Sequence, residues 1–398
     1  MSLGGATSSR YVFIASLSTP MVVGWYEPLQ PDPMGIRASE VKGLWRWWAR
    51  AFVAGAMYDL GLLEGFSPRD VVLSPSRDDV KRINFVVGKV MGLGYAGDAG
   101  SEASRFTIYT EYTGRGSLQP KCSSDGLQRI MLLALKKSVC FYSPGPATRF
   151  SIAVEKRRSV DSNAELTAVK ILVAVLQLSG VGNGGRRGLG SLDLSLPPEL
   201  SFRDLRQLIS DVYDSTVDIV KRVASREHWN VRRQVAAPPL PVVSRKSFRG
   251  MPVTRVLLAR ARDFQAVHNF FTRSERCRVL TGSPMCDDDL RKTLNAWILG
   301  LPRGRRGAIS TGYTLRSISR RASPILVAYH TRVNSLGEGA YISILFSADW
   351  PTEVEWYGAG HQRIAIDLNR LCDAYTIAVN ELTAYLQRLG IVTSSIWP

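Results

Sequence analysis

Cysteine is scarce in this chain of 398 residues, and its five copies show no metal-binding spacing. They are Cys122, Cys140, Cys277, Cys286 and Cys372, an odd number that contains no CxxC pair. Structural zinc sites generally need such pairs, and disulfide frameworks generally need an even count. The sequence therefore predicts reduced, structural thiols, with no metal and no cofactor.

A long apolar run is also absent, although 45% of the residues are hydrophobic. A membrane-spanning helix needs roughly 18 or more consecutive apolar residues, and no segment reaches that length. The first residues, 1–10, are small and polar, unlike the apolar core of a secretory signal. We therefore expect a cytoplasmic protein without a membrane span, and the chain length predicts two domains.

Acidic residues are outnumbered, because 34 Asp and Glu stand against 51 Lys and Arg, giving a net charge of +17. A surplus of this size attracts polyanions. Most of the basic residues are arginine, whose planar guanidinium pairs with phosphate oxygens and stacks on bases. Codon bias or heat adaptation also produces such compositions, so the clustering of the arginines has to distinguish these interpretations.

Alternation and helical periodicity predict strands and helices in an ordered succession through the first half. In chain order these are the strand Tyr11–Ser18, a helix over 39–57, the strands Arg105–Tyr112, Gln128–Leu135 and Thr148–Val154, the helix Asn163–Ser179, and the strand Ser191–Leu196. This order approximates β-α-β-β-α-β, which is typical of an α+β fold with an antiparallel sheet, here with insertions. Two prolines, at 197 and 198, mark the predicted boundary between a domain at 1–198 and a second α+β domain at 199–398.

A glycine-rich segment, GVGNGGRRGLG at Gly180–Gly190, is the most informative feature of the sequence. Glycines adopt left-handed conformations and let a ligand approach the backbone closely. Consecutive amides that point in one direction bind anions, and two arginines add positive charge beside them. The segment follows a helix and has no GK pair, which argues against a mononucleotide or dinucleotide phosphate loop. A flexible loop is the alternative to phosphate binding. The residues expected to bind a ribose-phosphate backbone are Gly182, Asn183, Gly184, Gly185, Arg186 and Arg187.

A basic stripe lies on the first predicted helix, because Lys42, Arg46 and Arg50 are spaced four residues apart. Each step rises by about 6 Å, close to the spacing of phosphates along one nucleic-acid strand. A solvated basic face is the alternative interpretation. The three tryptophans of the same helix are expected in the protein core.

Arginine is concentrated a third time between Leu299 and Ser323, in the segments LGLPRGRR and SRRASP. These arginines occupy positions 303, 305, 306, 316, 320, 321 and, just beyond, 332. Each phosphate that such a cluster neutralises releases counterions, so the cluster favours RNA or DNA in a salt-dependent way.

Three motifs in this order resemble the RAMP superfamily of CRISPR effector proteins. They are the Lys-Gly-x-x-Arg-x-Trp helix from Lys42 to Trp48, the glycine-rich loop before a terminal strand, and the LGLPR…RRASP segment. More narrowly, they resemble the first-numbered subunit of the type III-B Cmr RNA-targeting complex. The resemblance extends from Ile36 to about Pro351.

The resemblance implies two ferredoxin-like, RRM-related domains with insertions. It also implies a non-catalytic subunit that contacts the 3′ part of the CRISPR RNA, helps to capture target RNA, and binds other RAMP subunits of the Cmr complex. The RNA contacts of the family correspond here to Arg37, Lys42 and Arg46, to Gly182–Arg187, and to Arg320 and Arg321. Arg50 continues the basic stripe and completes the expected RNA-binding set.

A metal-independent ribonuclease that matures CRISPR RNA is the alternative function, since other RAMP proteins have that chemistry. It would use the RNA 2′-hydroxyl as the nucleophile and a histidine for proton transfer. The four histidines, at 228, 268, 330 and 361, all lie in the second half, away from the basic helix and the glycine-rich loop. Asp32 is a lone acid in a loop where sister subunits can carry a cleaving aspartate. We expect no catalytic residue, and we expect protein-partner surfaces at Pro20–Pro33 and Trp229–Gly250.

Overall fold

The computed structural model describes residues 10–24, 30–98, 100–123, 130, 139–231, 234–272, 289–301, 312–315, 320–331, 338–358 and 360–398. The helices in this part are α1 (Ala38–Asp59), α2 (Arg77–Asn84), α3 (Ser162–Leu178), α4 (Leu205–Arg226), α5 (Phe264–Thr272), α6 (Asp289–Lys292) and α7 (Leu368–Arg388). A π-helical segment, Phe85–Val90, follows α2, and 3₁₀ turns lie at Pro198–Leu200 and Ala296–Leu299.

The strands are β1 (Arg10–Leu17), β2 (Tyr95–Gly97), β3 (Gly100–Glu102), β4 (Phe106–Tyr112), β5 (Lys121–Ser123), β6 (Val139–Phe141), β7 (Gly145–Lys156), β8 (Leu192–Ser195), β9 (Ser247–Phe248), β10 (Met251–Pro252), β11 (Thr254–Ala259), β12 (Gly312–Thr314), β13 (Ile325–His330), β14 (Gly339–Leu345), β15 (Glu353–Tyr357), β16 (His361–Ala365) and β17 (Thr393–Trp397). Among the described helices, none combines the length and the hydropathy that crossing a bilayer requires.

The first half contains a four-stranded antiparallel sheet in the order β4-β7-β1-β8. Helices α1 and α3 lie together on one face of it. The indole of Trp45 in α1 contacts the ring of Phe106 in β4, with centroids 5.1 Å apart, and its Nε1 donates to the Ala168 carbonyl of α3 at 2.6 Å. The side chain of Asp161 caps α3 by accepting from Ala164 N at 3.0 Å.

The opposite face of the first sheet is open. Along β1, Phe13 and Ala15 are fully buried, whereas their neighbours Val12 and Ile14 are 37% and 38% exposed. Tyr109 of β4 is 51% exposed. Since successive side chains of a strand point to opposite faces, this alternation identifies a sheet that is covered by helices on one side only.

The second half contains a four-stranded antiparallel sheet in the order β13-β14-β11-β17. In both sheets the first strand in the chain lies between the third and the fourth, and the second strand is at the edge. Helix α5 covers one face, where the rings of Phe264 and Tyr329 are 5.7 Å apart. The predicted α+β class with antiparallel sheets is confirmed.

Helix α3 also covers the other face of the second sheet, because it contacts both β13 and β14. The imidazole of His330 in β13 is buried there, with Nε2 2.9 Å from the Gln177 carbonyl oxygen of α3. Residues 171–178 of α3 are buried on every side of the helix. A helix that is apolar all round belongs inside a protein, and α3 therefore forms the central layer between the two sheets.

Several elements of the structure have no counterpart among the predicted ones. Gly88 is buried in the π-helical segment, and the β2–β3 hairpin follows it. The three-stranded sheet β12-β15-β16 and the terminal strand β17 carry no clear sequence signal. The strand predicted at Gln128–Leu135 lies outside the described residues except for Ile130.

The predicted boundary at Pro197 and Pro198 is followed by a helix that packs on the first half. In α4, the Tyr213 hydroxyl donates to the carboxylate of Asp59 at the end of α1. The two halves are thus joined across that boundary, which itself stays a prediction.

The segment predicted as a partner surface after α4 is buried in its middle, at residues 237–239 and 242–244. Ala237, Val242 and Val243 are buried, and Val243 N donates to the Ala51 carbonyl of α1 at 2.9 Å. A Cβ at Gly55 would lie 1.7 Å from the Val243 oxygen, so the segment crosses α1 at a position where only glycine fits. The expectation of an exposed partner surface is wrong for these residues, because they complete the core.

The prediction of reduced thiols is wrong for two cysteines. Cys122 of β5 and Cys140 of β6 occupy opposite positions in an antiparallel pair and form a disulfide. Cys372 is a free, half-buried thiol, and positions 277 and 286 lie outside the described residues. Within the described residues, no group of three or more His, Cys, Asp or Glu side chains is positioned to hold a metal ion.

Candidate nucleic-acid interface

Backbone amides of the glycine-rich loop are bonded within the protein. Val181 N donates to the Gly190 carbonyl at 2.9 Å, Asn183 N to the Val22 carbonyl at 2.6 Å, and Gly190 N to the Pro20 carbonyl at 2.9 Å. An amide that already donates to a carbonyl is not available to a phosphate. The prediction of an anion cradle is therefore wrong for the Asn183 amide, because the loop packs against the segment that follows β1.

The tip of the loop is closed in the same way. Gly185 N donates to the Gly182 carbonyl at 3.2 Å, and Arg187 N donates to the Gly184 carbonyl at 2.7 Å. Asn183 is the exposed residue of the tip. The successive turns fold the tip onto itself, so the Gly185 and Arg187 amides already have acceptors within the loop.

One amide of the loop does bind an anion, but the anion is a carboxylate of the protein. Gly182 N donates to Oε1 of Glu40 in the first turn of α1. Burial raises the pKa of Glu40 by more than this hydrogen bond and the charge of Arg37 lower it. Gly182 has φ +85°, and a Cβ there would lie 2.5 Å from the Val22 oxygen. The glycine is thus required for a close internal contact.

Arg186 lies between the two halves instead of facing solvent. Its guanidinium stacks on the indole of Trp47, 4.6 Å from the ring centroid, and its NH1 donates to the Ser323 carbonyl at 3.0 Å. Burial, and then the charge of Arg321, lower the pKa of Arg186 to about 10. A cation enclosed in this way is not placed to meet an RNA phosphate, which corrects the predicted role.

Arg187 is enclosed next to it. Its guanidinium donates to the Ile325 carbonyl at 3.2 Å and to the Leu299 carbonyl, and it stacks on Phe271 at 4.7 Å. The backbone joins the same strand, since Val327 N donates to the Arg186 carbonyl at 3.1 Å. β13 is an edge strand, and edge strands expose unpaired backbone groups. The glycine-rich loop covers that edge and fixes the two halves to each other.

The third arginine cluster is described only in part. Arg321 donates to Ser347 Oγ at 3.1 Å and to Asp349, and it stacks on Trp350 at 4.9 Å. Its guanidinium is thus bonded within the second half, contrary to the expected RNA contact, whereas Arg320 is exposed. The arginines at 303, 305, 306, 316 and 332 lie outside the described residues.

The basic stripe of α1 does not face solvent as one row. The Arg46 guanidinium donates to the Gly94 carbonyl at 3.0 Å, and Arg50 Nε donates to Asn84 Oδ1 at 3.3 Å. Burial, and then the charge of Arg46, lower the pKa of Arg50. The end of α2 and the segment after it therefore bind both side chains, and the prediction of a three-step phosphate ladder is wrong for them.

At the start of α1, Arg37 donates from Nε to the carboxylate of Asp32 at 2.5 Å and from its NH2 to the Gly24 carbonyl. Asp32 itself is 6% exposed and also accepts from Met34 N at 2.9 Å. Arg37 remains partly exposed, with a neutralising partner. The lone acid considered as a cleaving residue is thus the structural partner of an arginine.

Lys42 differs from the other cations of α1. Among the described residues, none accepts a hydrogen bond from its ammonium group or pairs with it as a carboxylate. It lines a cleft of about 320 Å³ between α1 and β4. The lining residues are Ala38, Ser39, Lys42, Ala103, Ser104, Phe106, Thr107, Ile108 and Arg157.

Among the described residues that line this cleft, two are cations and none is a carboxylate. Burial lowers the pKa of Lys42, and the positive charges of Arg46 and Arg157 lower it further. Like charges that stand together disfavour the charged lysine, and a bound anion would reverse that effect. Arg157 is absent from the predicted site, although the basic run 156–158 directly after a predicted strand was a signal for it.

Two of the histidines, His330 and His268, occupy buried structural positions. His330 is 2% exposed, with Nδ1 2.9 Å from the Asp193 carboxylate. His268 is fully buried, and its Nδ1 lies 3.1 Å from the Arg187 carbonyl oxygen. Both rings join the two halves of the protein and lie away from the cleft.

No protein-family model and no curated protein matches the chain. Among solved structures, it is similar to Cmr1 from Pyrococcus furiosus in its apo form, with 16% identity and a TM-score of 0.49 over 98% of this chain and 99% of that one. It is similar to a chain of a type III-B Cmr-beta complex bound to cognate target RNA, with 12% identity and a TM-score of 0.49 over 94% and 99%. A chain of a type IV-B CRISPR complex matches at 11% identity and a TM-score of 0.32 over 49% and 92%.

Proposed function

We propose that this chain is a non-catalytic, RNA-binding subunit of a type III-B CRISPR (Cmr) effector complex. In this role it contacts the 3′ part of the CRISPR RNA, helps to capture target RNA, and binds other RAMP subunits in the cytoplasm. Each half would be a ferredoxin-like unit, in keeping with the shared strand order of the two sheets. The sequence motifs that resemble the RAMP superfamily support this assignment.

The observation that carries the RNA-binding role is the cleft at Lys42. Several arginines of the predicted site already donate to carboxylate or carbonyl oxygens of the protein, namely Arg37, Arg46, Arg186, Arg187 and Arg321. The cleft, in contrast, contains two cations and no carboxylate in its described lining. Clustered cations without internal partners are the electrostatic signature of a polyanion site. The net charge of +17 supports the same role for the chain as a whole.

Two of the four histidines support a binding role rather than a ribonuclease. A proton-transferring histidine must reach the 2′-hydroxyl or the leaving oxygen of a bound RNA. His330 and His268 are buried between the two halves and bonded there, so neither ring reaches the cleft. The ribonuclease therefore remains an outcome that the experiment has to distinguish.

The test is to incubate the purified chain with a labelled single-stranded RNA, with and without Mg²⁺, and to record both binding and strand integrity. We expect binding without cleavage, and a linear fall of log affinity with log salt concentration. Defined cleavage products without metal would replace this proposal by the ribonuclease. Affinity that does not change with salt would contradict phosphate contacts.

The place within the complex needs a second measurement. Crosslinking from defined RNA positions in the assembled effector complex should label this chain from the 3′ part of the CRISPR RNA. Labelling from the 5′ end alone would contradict the proposed position. The matched sample is the same complex without target RNA, which separates guide contacts from target contacts.

A further inference from the structure

We propose that the cleft between α1 and β4 seats one nucleotide unit of an RNA strand, with its phosphate between Lys42 and Arg157. The inference rests on the proposed function and makes it specific, because it names the ligand class and a second cation. Arg157 belongs to none of the sequence motifs. The cleft joins it to Lys42 through the fold alone.

The two cations are held by firm parts of the structure. Lys42 lies in the second turn of α1, and Arg157 directly follows β7. The backbone of Arg157 is fixed, since its amide donates to the Arg105 carbonyl at 2.9 Å. Arg105 is itself buried and bonded to Glu165 at 2.6 Å. The backbone positions of both cations are therefore set before a ligand binds.

Charge explains why this position demands an anion. The Lys42 ammonium is partly buried, and the charges of Arg46 and Arg157 oppose its own. A phosphate between Lys42 and Arg157 replaces like-charge repulsion by two charge-assisted contacts. Two cations near the cleft contrast with this pair, because Arg37 has the carboxylate of Asp32 and Arg105 has that of Glu165. Lys42 and Arg157 have no carboxylate in the described lining of the cleft.

The shape of the cleft calls for more than a phosphate ion. Its volume of about 320 Å³ falls in the range of small-molecule sites, and a bare phosphate would leave much of it empty. Ala38, Ala103, Phe106 and Ile108 supply an apolar floor, and three hydroxyl side chains supply polar groups at the wall. This combination suits a sugar attached to the phosphate.

Base identity should matter little at this site. Phe106 is the aromatic residue of the lining, and it is 2% exposed because its ring packs against Trp45. The described lining therefore offers a base no open aromatic face on which to stack, so recognition rests on the phosphate and the ribose. We expect similar affinities for uridine- and adenosine-containing ligands.

The experiment compares the wild-type chain with the double variant Lys42→Ala plus Arg157→Ala. A matched double variant, Lys221→Ala plus Arg388→Ala, removes the same charge from exposed positions on α4 and α7. Fluorescence anisotropy with a labelled single-stranded RNA measures affinity over a salt series. Titration calorimetry with uridine monophosphate and with inorganic phosphate measures the affinity of the cleft for a single nucleotide and for a bare phosphate. Circular dichroism verifies the fold of each variant.

We expect the cleft variant to lose at least about tenfold in RNA affinity, since it loses two charge-assisted contacts. Its salt slope should fall by about 0.7, the contribution of one phosphate of a single strand. The matched variant should stay within about threefold of the wild type. Uridine monophosphate should bind the wild type more tightly than inorganic phosphate does, and this preference should disappear in the cleft variant.

The possible failures are distinguishable. Equal RNA affinity for wild type and a folded cleft variant would overturn the inference and leave the proposed function standing. A wild type that binds uridine monophosphate through the cleft but binds no RNA would overturn the proposed function instead. Equal affinities for inorganic phosphate and uridine monophosphate would contradict the proposal that the cleft binds the ribose. Absence of all binding would overturn both.

Discussion

Two pairs of cations in this protein have the same charge and opposite surroundings. Arg186 and Arg187 donate to carbonyls of the second half and stack on aromatic rings. Lys42 and Arg157 line a cleft that contains no carboxylate among its described lining. The comparison teaches that the sign of a charge does not assign its role. A cation that already has partners within the fold stabilises the protein, whereas a cation without such partners is able to bind a ligand.

The largest expected effect is a loss of stability in the glycine-rich loop, whose backbone holds Arg186 and Arg187 in place. Gly190 has φ +68°, and a Cβ there would lie 1.9 Å from the Val181 oxygen, so Gly190→Ala combines strain with overlap. We expect a loss of about 4 kcal/mol in the free energy of unfolding, measured by chemical denaturation. The control is Gly43→Ala in α1, where a Cβ meets nothing within 4 Å, and a gain of about 1 kcal/mol is expected. Equal effects at the two glycines would contradict the packing of the loop.

The next effect tests the internal cations directly. Arg187→Ala leaves the Ile325 and Leu299 carbonyls without their donor and removes the contact with Phe271. We expect the free energy of unfolding to fall by about 3 kcal/mol in the same assay. A change below about 0.5 kcal/mol would show that Arg187 is not a structural residue. RNA affinity, measured well below the melting temperature, should stay close to that of the wild type.

Arg105 extends the comparison to a buried cation that has a carboxylate. Burial raises the pKa of Glu165. Hydrogen bonds from Ser159 and from Val160 N, together with the charge of Arg105, outweigh burial and bring the pKa below its usual 4.5. A carboxyl with a lowered pKa contributes stability that is present above its unfolded value and is lost as the pH falls below it. We therefore expect stability to decrease below about pH 4.5.

The matching variant for that acid effect is Glu165→Gln. It should lose about 2 kcal/mol at pH 7, because a charged hydrogen-bond acceptor is replaced by a neutral one. It should also lose less stability between about pH 5 and about pH 3, the range in which carboxyl groups titrate. An unchanged acid profile, followed by thermal melting at each pH, would assign the acid sensitivity to other carboxyl groups.

The smallest expected effect is the change in protein stability when Lys42 of the cleft is replaced. Lys42→Ala removes a partly buried ammonium that faces like charges, so the free energy of unfolding should change by less than about 0.5 kcal/mol. The same substitution should weaken RNA binding. A large loss of stability would make Lys42 a structural residue and would remove the contrast between the two pairs of cations.

The fold could be predicted from the sequence where local patterns were strong. β1, α1 and α3 were predicted within a few residues, because alternation and helical periodicity are local signals. The central position of α3 also had a signal, since KILVAVLQL is apolar all round and such a helix must be covered on every side. The short strands β12, β15 and β16 had no comparable pattern.

The site was harder to predict, because partners come from distant parts of the chain. The glycine-rich loop was interpreted as an anion cradle, yet the chain itself supplies Glu40 and the edge of β13 as its partners. Local sequence shows which groups are able to bind, but only the tertiary fold shows which are already bound. Lys42 was predicted. Arg157 belongs to a basic run that is visible in the sequence, but only the placement of β7 beside β4 brings it to Lys42.

The shared position of α3 has a consequence for how the protein unfolds. Because one helix supplies the core of both sheets, neither half retains a complete hydrophobic interior when the other melts. The chain should therefore show a single calorimetric transition whose van't Hoff and calorimetric enthalpies agree. Nor should proteolysis near the middle of the chain release a half that survives alone, since each fragment would expose the face that α3 had covered.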